Sequence, residues 1–178
     1  MAIDYAALKA RPFPDVRADY DWKDSVLYAL GVGYGLDPVD PAQLHFVYEQ
    51  GQQVVPTMAV VLATPGFWVK DADAGVDWVR VLHGEQHLEM HRPLPVGGTV
   101  IGRNRLVSLT DKGQGRGALL VQRRTLHDAR DDSLIATVEQ VTFARGDGGF
   151  SERPGNGPPG GDPGPRARPV VPDSTPDL

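Results

Sequence analysis

Cysteine is absent from all 178 residues of the chain. Disulfide bonds, thiolate nucleophiles and cysteine-ligated metals are therefore excluded, and cysteine use says nothing about the redox compartment. Long apolar runs are missing as well, because none approaches the roughly 18 residues of a membrane-spanning helix. The first residues, MAIDYAALKARPFPDV, have no apolar stretch behind a basic start, so the sequence predicts no signal peptide. We expect a cytoplasmic protein with no membrane partner.

Positive charge is scarce relative to negative charge. The chain has 18 Lys and Arg against 23 Asp and Glu, a formal net charge of −5 at pH 7. Binding to nucleic-acid phosphates usually needs a basic face, so we expect no nucleic-acid partner. Apolar residues make up 40% of the chain, which is enough for the core of a single domain.

Large apolar residues also become scarce after Phe150. Gly and Pro account for 13 of the 28 residues in the range 151–178. Such a segment cannot bury enough apolar surface to offset the entropy lost on ordering. The composition therefore predicts a globular domain over residues 1–150 and a disordered linker or tail over residues 151–178.

The first half of the domain contains mixed signals. DWKDSVLYALGVG predicts a helix, because Asp21 suits an N-cap and Gly31 and Gly33 suit a helix end. Its expected apolar stripe consists of Val26, Leu27 and Leu30. LHFVYEQG alternates and predicts a short strand. Apolar residues continue from Pro56 through Leu62 before a Thr-Pro-Gly stop, so we predict a buried helix over Pro56–Ala63.

The second half is rich in predicted strands. Four long segments are separated by turn-like sequences: DWVRVLHGEQHLEMHRPLP, TVIGRNRLVSLTDKG, ALLVQRRTLHDA and SLIATVEQVTFARG. Hairpin-like links between them predict an antiparallel meander. The expected class is α+β, with a curved antiparallel sheet wrapped around one apolar helix, which is the hot-dog fold. A small open barrel is the alternative.

Three of the five histidines fall in VLHGEQHLEMHRPLP, residues 81–95. A zinc-binding helix is disfavoured, since Gly84 and Pro93 are poor helix residues. A strand with period two places His83, Glu85, His87, Glu89 and His91 on one face. Successive histidines are then about 13 Å apart, too far to share a metal ion. We predict a solvated strand face for His87 and His91. His83 remains a candidate site residue, because the glycine after it allows a ligand or another backbone to approach.

Five segments, in order, resemble the N-terminal half of the (R)-specific 2-enoyl-CoA hydratases, also called hydratase 2, of the MaoC-like hot-dog family. They are DSVLYALGVGYG, LHFVYEQGQQVVPTMAVVLA, LHGEQHLEMHRPLP, LTDKGQG and FARGDGGF. The resemblance covers nearly the whole chain. It implies that this half shapes an acyl tunnel for an enoyl-CoA or 3-hydroxyacyl-CoA substrate, without a cofactor or a metal.

The resemblance also implies individual ligand contacts. The family's His-Gly pair matches His83 and Gly84, and its turn lysine matches Lys112, which we expect to contact the CoA ester. Lys112 would act as an exposed cation for a CoA phosphate, and Gly84 would admit the ligand to the backbone. Arg145, in the closing segment, has two equally weighted interpretations, a phosphate contact and a structural turn.

The catalytic motif of the family, Gly-Asp-x-Asn-Pro-x-His, has no match here. Asp40 and His45 in DPAQLH share its Asp-to-His separation but lack the Asn-Pro that shapes the turn. We therefore assign no catalytic residue and expect little activity from this chain alone. The Pro/Gly segment resembles the linker to a second, catalytic hot-dog unit.

Two functions are compatible with these observations. The first is the acyl-CoA-binding half of a hydratase, completed by a second hot-dog unit in a further domain, a partner chain or a homodimer. The second is a non-catalytic acyl-CoA-binding or scaffolding domain. The sequence leaves open whether the acyl group is fatty or a sterol side chain. Asp71, Asp73 and Asp77 do not form a calcium loop, so a solvated loop is the preferred interpretation.

Overall fold

The computed structural model of the chain describes residues 3–158. Within this range three α-helices precede most of the sheet. The helices are α1 (Tyr5–Lys9), α2 (Trp22–Gly31) and α3 (Pro41–Val47). The strands are β1 (Val16–Tyr20), β2 (Val81–Met90), β3 (Gly98–Asp111), β4 (Ala118–Asp128) and β5 (Leu134–Ala144). Short 3-10 helices occupy Pro56–Val60, Trp68–Lys70, Ala72–Ala74, Trp78–Arg80 and Phe150–Glu152.

The five strands form one antiparallel sheet in the order β1-β3-β4-β5-β2. The β3-β4-β5 meander follows the prediction, including both predicted turns. The predicted hairpin between β2 and β3 is wrong, because β2 pairs with β5 at the far edge. β1, which the sequence analysis did not predict, occupies the edge beside β3.

The link between β2 and β3 shows why these two strands do not pair. Pro93 and Pro95 interrupt the ladder, since proline has no N–H to donate. The link then crosses the N-terminal end of α2, where the Tyr20 hydroxyl donates to the Pro95 carbonyl oxygen (2.8 Å). The Ser25 hydroxyl likewise donates to the Val96 carbonyl oxygen (2.9 Å). The segment is thereby a crossing connection and not a hairpin turn.

Helix α2 begins where the sequence predicts. The Asp21 carboxylate accepts from the backbone N–H groups of Lys23 and Asp24, and Asp24 completes a capping box by accepting from the Asp21 N–H. The predicted apolar stripe is wrong, because Ser25 and Ala29 are the buried residues of α2. Leu27 and Leu30 are exposed.

The predicted strand LHFVYEQG is also wrong, since its first residues belong to α3. Asp40 caps that helix by accepting from the Ala42 N–H (2.9 Å), and Pro41 occupies the first turn. Both signals favour a helix start, and they outweigh the short alternation that follows.

The segment Pro56–Ala63 is buried, as predicted, but it is not an α-helix. It forms a 3-10 helix over Pro56–Val60 and then a turn in which Ala63 adopts a positive φ of 49°. Met58 and Ala59 are buried against the inner face of the sheet. Adjacent Val60 and Val61, followed by Thr-Pro-Gly, explain the short length, because β-branched residues lose side-chain freedom in a helix and proline ends it.

The buried apolar side chains form two separate clusters along the sheet. One contains Leu106, Leu120, Ala144 and Trp68, and the other contains Met58, Leu62, Leu126 and Ala136. The space between the two clusters is where the candidate site lies.

The two ends of the described range meet on the first cluster. The Asn156 side chain accepts from the Tyr5 N–H (2.7 Å) and donates to the Ile3 carbonyl oxygen (2.9 Å). Hydrogen bonding to the domain therefore continues past Phe150, the boundary that the composition predicts. Residues 159–178, the rest of the predicted tail, lie outside the described residues.

Candidate functional site

A bulge at Gly84 interrupts the regular alternation of β2. His83 pairs with Thr142 and Glu85 pairs with Val141, so Gly84 has no register partner. His83 and Glu85 are consecutive rungs of the ladder and therefore point to opposite faces. The prediction that His83 shares a face with His87 is wrong: His83 points to the inner face and His87 to the outer one.

The other two histidines of this segment are on the outer side: His87 lies in β2, and His91 comes just after its last residue, Met90. His87 Nε2 lies 2.8 Å from a Glu85 carboxylate oxygen, and His91 Nε2 lies 2.9 Å from the Thr137 hydroxyl. Within residues 3–158 no group of three or more His, Asp and Glu is arranged to hold a metal ion.

The inner face contains a cavity of about 280 Å³ between the sheet and the chain that follows the 3-10 helix. Its helical side is lined by Val60, Phe67, Trp68 and Val69, and its sheet side by His83, Gln86, Gln122, Arg124, Val138, Gln140 and Thr142. His83, a residue of edge strand β2, is exposed and marks the open side of the cavity. Ligand pockets commonly start near 300 Å³, so the cavity suits part of a chain and not a whole CoA ester.

The sheet side of the cavity is a polar stripe between the two apolar clusters. We call Gln122, Arg124, Gln140 and Thr142 the inner polar stripe. Trp68 donates its indole N–H to the Gln122 side-chain oxygen (2.6 Å), and Gln122 donates to the Asn104 side-chain oxygen (3.1 Å). Gln140 donates to the Thr142 hydroxyl (3.3 Å). These bonds hold the amides in fixed orientations beside the cavity.

Arg124 is the charged member of the stripe and is only 6% exposed. One terminal nitrogen, Nη2, donates to the carbonyl oxygens of Ala59 (3.2 Å) and Val60 (2.5 Å), where the 3-10 helix ends. A cation suits that position, because a helix C-terminus carries partial negative charge. Burial lowers the pKa of Arg124 to about 10.

Lys112 lies in the turn between β3 and β4, and the preceding residue organises that turn. The Asp111 carboxylate accepts from the N–H groups of Gly113 (2.8 Å), Gly149 (2.7 Å) and Ser151 (2.7 Å), and from the Ser151 hydroxyl (2.7 Å). Burial alone would raise the pKa of Asp111, but these donated hydrogen bonds outweigh it and lower that pKa. One carboxylate thus joins the DKGQG turn to the closing GDGGFS segment.

The structure brings the three predicted site residues to one end of the sheet but not to one face. Lys112 is exposed, and its Nζ lies 5.3 Å from the ring centroid of Phe143. Phe143 pairs with Leu82, the residue before His83, and both belong to the outer face. Lys112 therefore lies on the outer face of the sheet and His83 on its inner face. Gly84 is exposed between them, and a Cβ there would lie 3.2 Å from the Val141 carbonyl oxygen.

Other residues singled out in the sequence have structural roles. Asp40 caps α3, and no hydrogen bond joins it to the exposed His45 in the described part of the chain. Asp71 and Asp73 both pair with Arg11, each at 2.7 Å. Asp77 pairs with Arg80 at 2.6 Å. The backbone N–H of Arg145 donates to the Arg80 carbonyl oxygen (3.2 Å), which supports its turn.

The curved antiparallel sheet around a short buried helix defines a hot-dog protein. The chain belongs to the family described as the MFE-2 hydratase 2 N-terminal domain, whose model matches residues 19–146. The structure resembles that of a MaoC-like dehydratase from Phytophthora capsici, with a TM-score of 0.71 and 25% identity, covering 99% of this chain and 59% of that one.

Curated relatives carry the names of enoyl-CoA hydratases. The chain is 37% identical over 152 residues to the peroxisomal enoyl-CoA hydratase 2 of Arabidopsis thaliana, covering 81% of this chain and 48% of the relative. It is 31% identical over 182 residues to enoyl-CoA hydratase ChsH3 of Mycobacterium tuberculosis, covering 100% of this chain and 59% of the relative. The chain thus spans about half to three fifths of their length. No helix among residues 3–158 has the length and apolarity to cross a membrane.

The inner polar stripe was missed in the sequence analysis. The signal was present in ALLVQRRTLHD, where the inward row reads Ala118, Leu120, Gln122, Arg124 and Leu126. Two polar residues in an otherwise apolar inward row indicate a candidate site. Arg123 and Arg124 are adjacent, so one of them points inwards and the other outwards. The sequence alone does not show which, and the inward row can be read only once the inward face of β4 is known.

Proposed function

We propose that this chain is the acyl-CoA-binding half of an (R)-specific 2-enoyl-CoA hydratase, or 3-hydroxyacyl-CoA dehydratase. In this function the cavity on the inner face receives the acyl chain of the thioester. Water is added to the trans-2-enoyl group by an Asp/His dyad that a second hot-dog unit supplies. The chain by itself then hydrates enoyl-CoA esters at no more than trace rates.

The single observation that carries the proposal is the position of His83. Regular alternation would place it outside with His87, yet the bulge at Gly84 turns it towards the open side of the cavity. Bulges are common beside active sites, where they redirect a side chain. Of the three histidines in residues 81–95, the one that matches the family's His-Gly pair is the one that lines the cavity.

Lys112 would contact the other end of the same ligand, the CoA phosphates. A CoA ester carries its phosphates far from the acyl group, so a thioester entering past β2 leaves those phosphates on the outside of the sheet. Lys112 lies on that side, in a turn fixed by Asp111. An exposed ammonium group is suited to phosphate as a point charge.

The need for a second unit follows from edge strand β2. Beyond β2 no strand pairs with it in the described range, so one row of its backbone N–H and C=O groups faces outwards. Large apolar side chains just before and within this edge are exposed, including Trp78, Val79 and Leu82. A second hot-dog unit beside β2 would cover them, whether it is a further domain, a partner chain or a second copy.

The proposal is tested by calorimetric titration of the chain with a non-hydratable acyl-CoA at pH 8. Lys112→Ala should weaken binding by about 1.5 kcal/mol at low salt, the scale of a hydrogen bond to a charged group. This loss should shrink near 0.15 M salt, since exposed charges are screened beyond about 8 Å there. His83→Ala should also weaken binding, with little salt dependence, because His83 would contact the acyl end of the ester and not its phosphates.

His87→Ala and His91→Ala are the matched controls, because both remove a histidine from the outer face of the same segment. Their affinities should equal that of the wild type. Wild-type affinity in Lys112→Ala at low salt, or equal losses in His83→Ala and His87→Ala, would contradict these ligand contacts. Binding without any gain of hydration when a dyad-carrying hot-dog unit is added would favour the scaffolding alternative.

A further inference from the structure

The inner polar stripe is unusual for a cavity that takes an acyl chain. Along β4, Gln122 and Arg124 stand between Leu120 and Leu126, which belong to the two apolar clusters. On β5, Gln140 occupies the matching position in register with Gln122. A plain alkyl chain lying there would displace water from these groups and offer no hydrogen bond in its place. Each donor or acceptor that has no partner in the protein would then be left unpaired, which is unfavourable.

Arg124 has donors that the protein does not use. A guanidinium group has five N–H bonds, and the two hydrogen bonds of Arg124 both come from Nη2. Nε is buried without a partner, and Nη1 makes no hydrogen bond within residues 3–158. No carboxylate lines the cavity or pairs with Arg124 among those residues. Buried cations are normally paired with an anion, so the ion pair of this site is incomplete.

We propose that the cavity selects acyl groups that carry a carboxylate at a distance from the thioester, and that Arg124 binds this carboxylate. The inference rests on the proposed function, because it assigns the substrate class of the same cavity. The carboxylate accepts from Nη1, the terminal nitrogen that the protein leaves unused, and Gln122 and Gln140 flank it on neighbouring strands. A hydroxyl in the same position accepts only part of this set and binds less tightly.

The test uses matched CoA thioesters titrated into the full chain by calorimetry. Hexanoyl-, octanoyl- and decanoyl-CoA are each compared with the ester of equal length that ends in a hydroxyl or a carboxylate. The carboxylate ester of at least one length should bind about tenfold or more tightly than its plain counterpart, as expected for a hydrogen-bonded charge pair. The hydroxyl ester should fall between the two.

Two variants assign the preference to Arg124. Arg124→Met should remove the discrimination, while Arg124→Lys, which keeps the charge, should retain part of it. Arg105→Met is the matched control, since it removes the same charge from the outer face, where Arg105 lines a separate surface groove with His87 and Glu89. It should leave the discrimination unchanged. If Arg124→Met fails to fold, Gln140→Leu, which should reduce the discrimination, takes its place.

The outcomes separate the two proposals. If no ester of any kind binds, the proposed function is overturned and this inference falls with it. If plain esters bind as tightly as their carboxylate counterparts at every length, the inference is overturned and the proposed function stands. If the preference for carboxylate esters persists in Arg124→Met, or disappears in Arg105→Met, the carboxylate binds elsewhere and the inference is also overturned.

Discussion

Asp111 organises the turn that carries Lys112. Its carboxylate accepts four hydrogen bonds. One comes from the adjacent turn at Gly113, and three come from the closing segment at Gly149 and Ser151, which is distant in sequence. Hydrogen bonds donated to a carboxylate favour its charged form, and they lower the pKa of Asp111 despite its partial burial. The turn that carries Lys112 is thus fixed by the Asp111 carboxylate together with the hydrogen bond from the Lys112 N–H to the Gly117 carbonyl oxygen (3.0 Å).

We predict that Asp111→Asn lowers the free energy of unfolding by about 2 kcal/mol. The NH2 group of the amide replaces one of the two acceptor oxygens of the carboxylate, and this donor then faces other N–H donors. The difference from the wild type should narrow as pH falls below about 4, since a group with a lowered folded-state pKa contributes stability above its unfolded pKa and loses it as pH falls. Urea unfolding at several pH values measures this.

Glu49→Gln, which removes one charge from an exposed position, is the control for the Asp111 variant. It should unfold like the wild type across the same pH range. A difference between wild type and Asp111→Asn that stays constant or grows on acidification would contradict the assigned role of the Asp111 carboxylate.

The resemblance predicts that His83, Gly84 and Lys112 contact the ligand, but the sequence alone could not place these three residues in space. The face of His83 depends on the bulge, which shifts the register by one residue, and a glycine in a strand permits a bulge without requiring it. Arg124 could not be identified, since local sequence does not distinguish it from Arg123. These are matters of register, which long-range pairing decides.

Among the elements, the inner segment Pro56–Ala63 decides the shape of the site. It lies against β3 at Gly102, where a Cβ would overlap the Ala63 carbonyl oxygen and lie 2.8 Å from the Ala63 Cβ. This close approach brings the end of the 3-10 helix within reach of Arg124. A longer helix would fill the space that the cavity occupies.

We predict that Gly102→Ala destabilises the protein by about 3 kcal/mol, because overpacking against backbone atoms forces the inner segment away from the sheet. Gly31→Ala is the control, since nothing lies within 4 Å of a Cβ at that helix position. It should be neutral or stabilising by up to about 1 kcal/mol. The midpoints of thermal unfolding of the two variants measure the difference. Similar midpoints would contradict the tight contact at Gly102.

The elements that the sequence predicted well are those fixed by local chemistry. Asp21 caps α2 as expected, and the β3-β4-β5 meander follows from short turns. The elements that it missed depend on distant partners. β2 reads like the first strand of a hairpin, yet its place beside β5 is set by the crossing link over α2. The short β1 exists only because β3 offers it an edge.

For the molecule as a whole, the exposed β2 edge and the apolar residues beside it predict association. We expect sedimentation at micromolar concentration to show a dimer or a larger species, because unpaired strand edges and apolar patches promote contact. Val79→Lys should weaken this association, since Val79 is 73% exposed just before β2.

Leu36→Lys is the matched control, because Leu36 is 86% exposed but belongs to the segment between α2 and α3, and not to the edge strand or the residues just before it. It should leave the association unchanged. A stable monomer of the wild type, or equal effects of the two lysine variants, would contradict an interface at β2.

The strand order also determines the sequence of events in folding. β3, β4 and β5 are joined by short turns and pair with little loss of loop entropy, whereas β2 must wait for β5, which follows it after two intervening strands. The bulge at Gly84 therefore forms only against a meander that is already in place. We therefore expect the wall of the cavity that contains His83 to be completed after the β3-β4-β5 meander, and, as part of an edge strand, to open in native-state fluctuations more readily than those three inner strands.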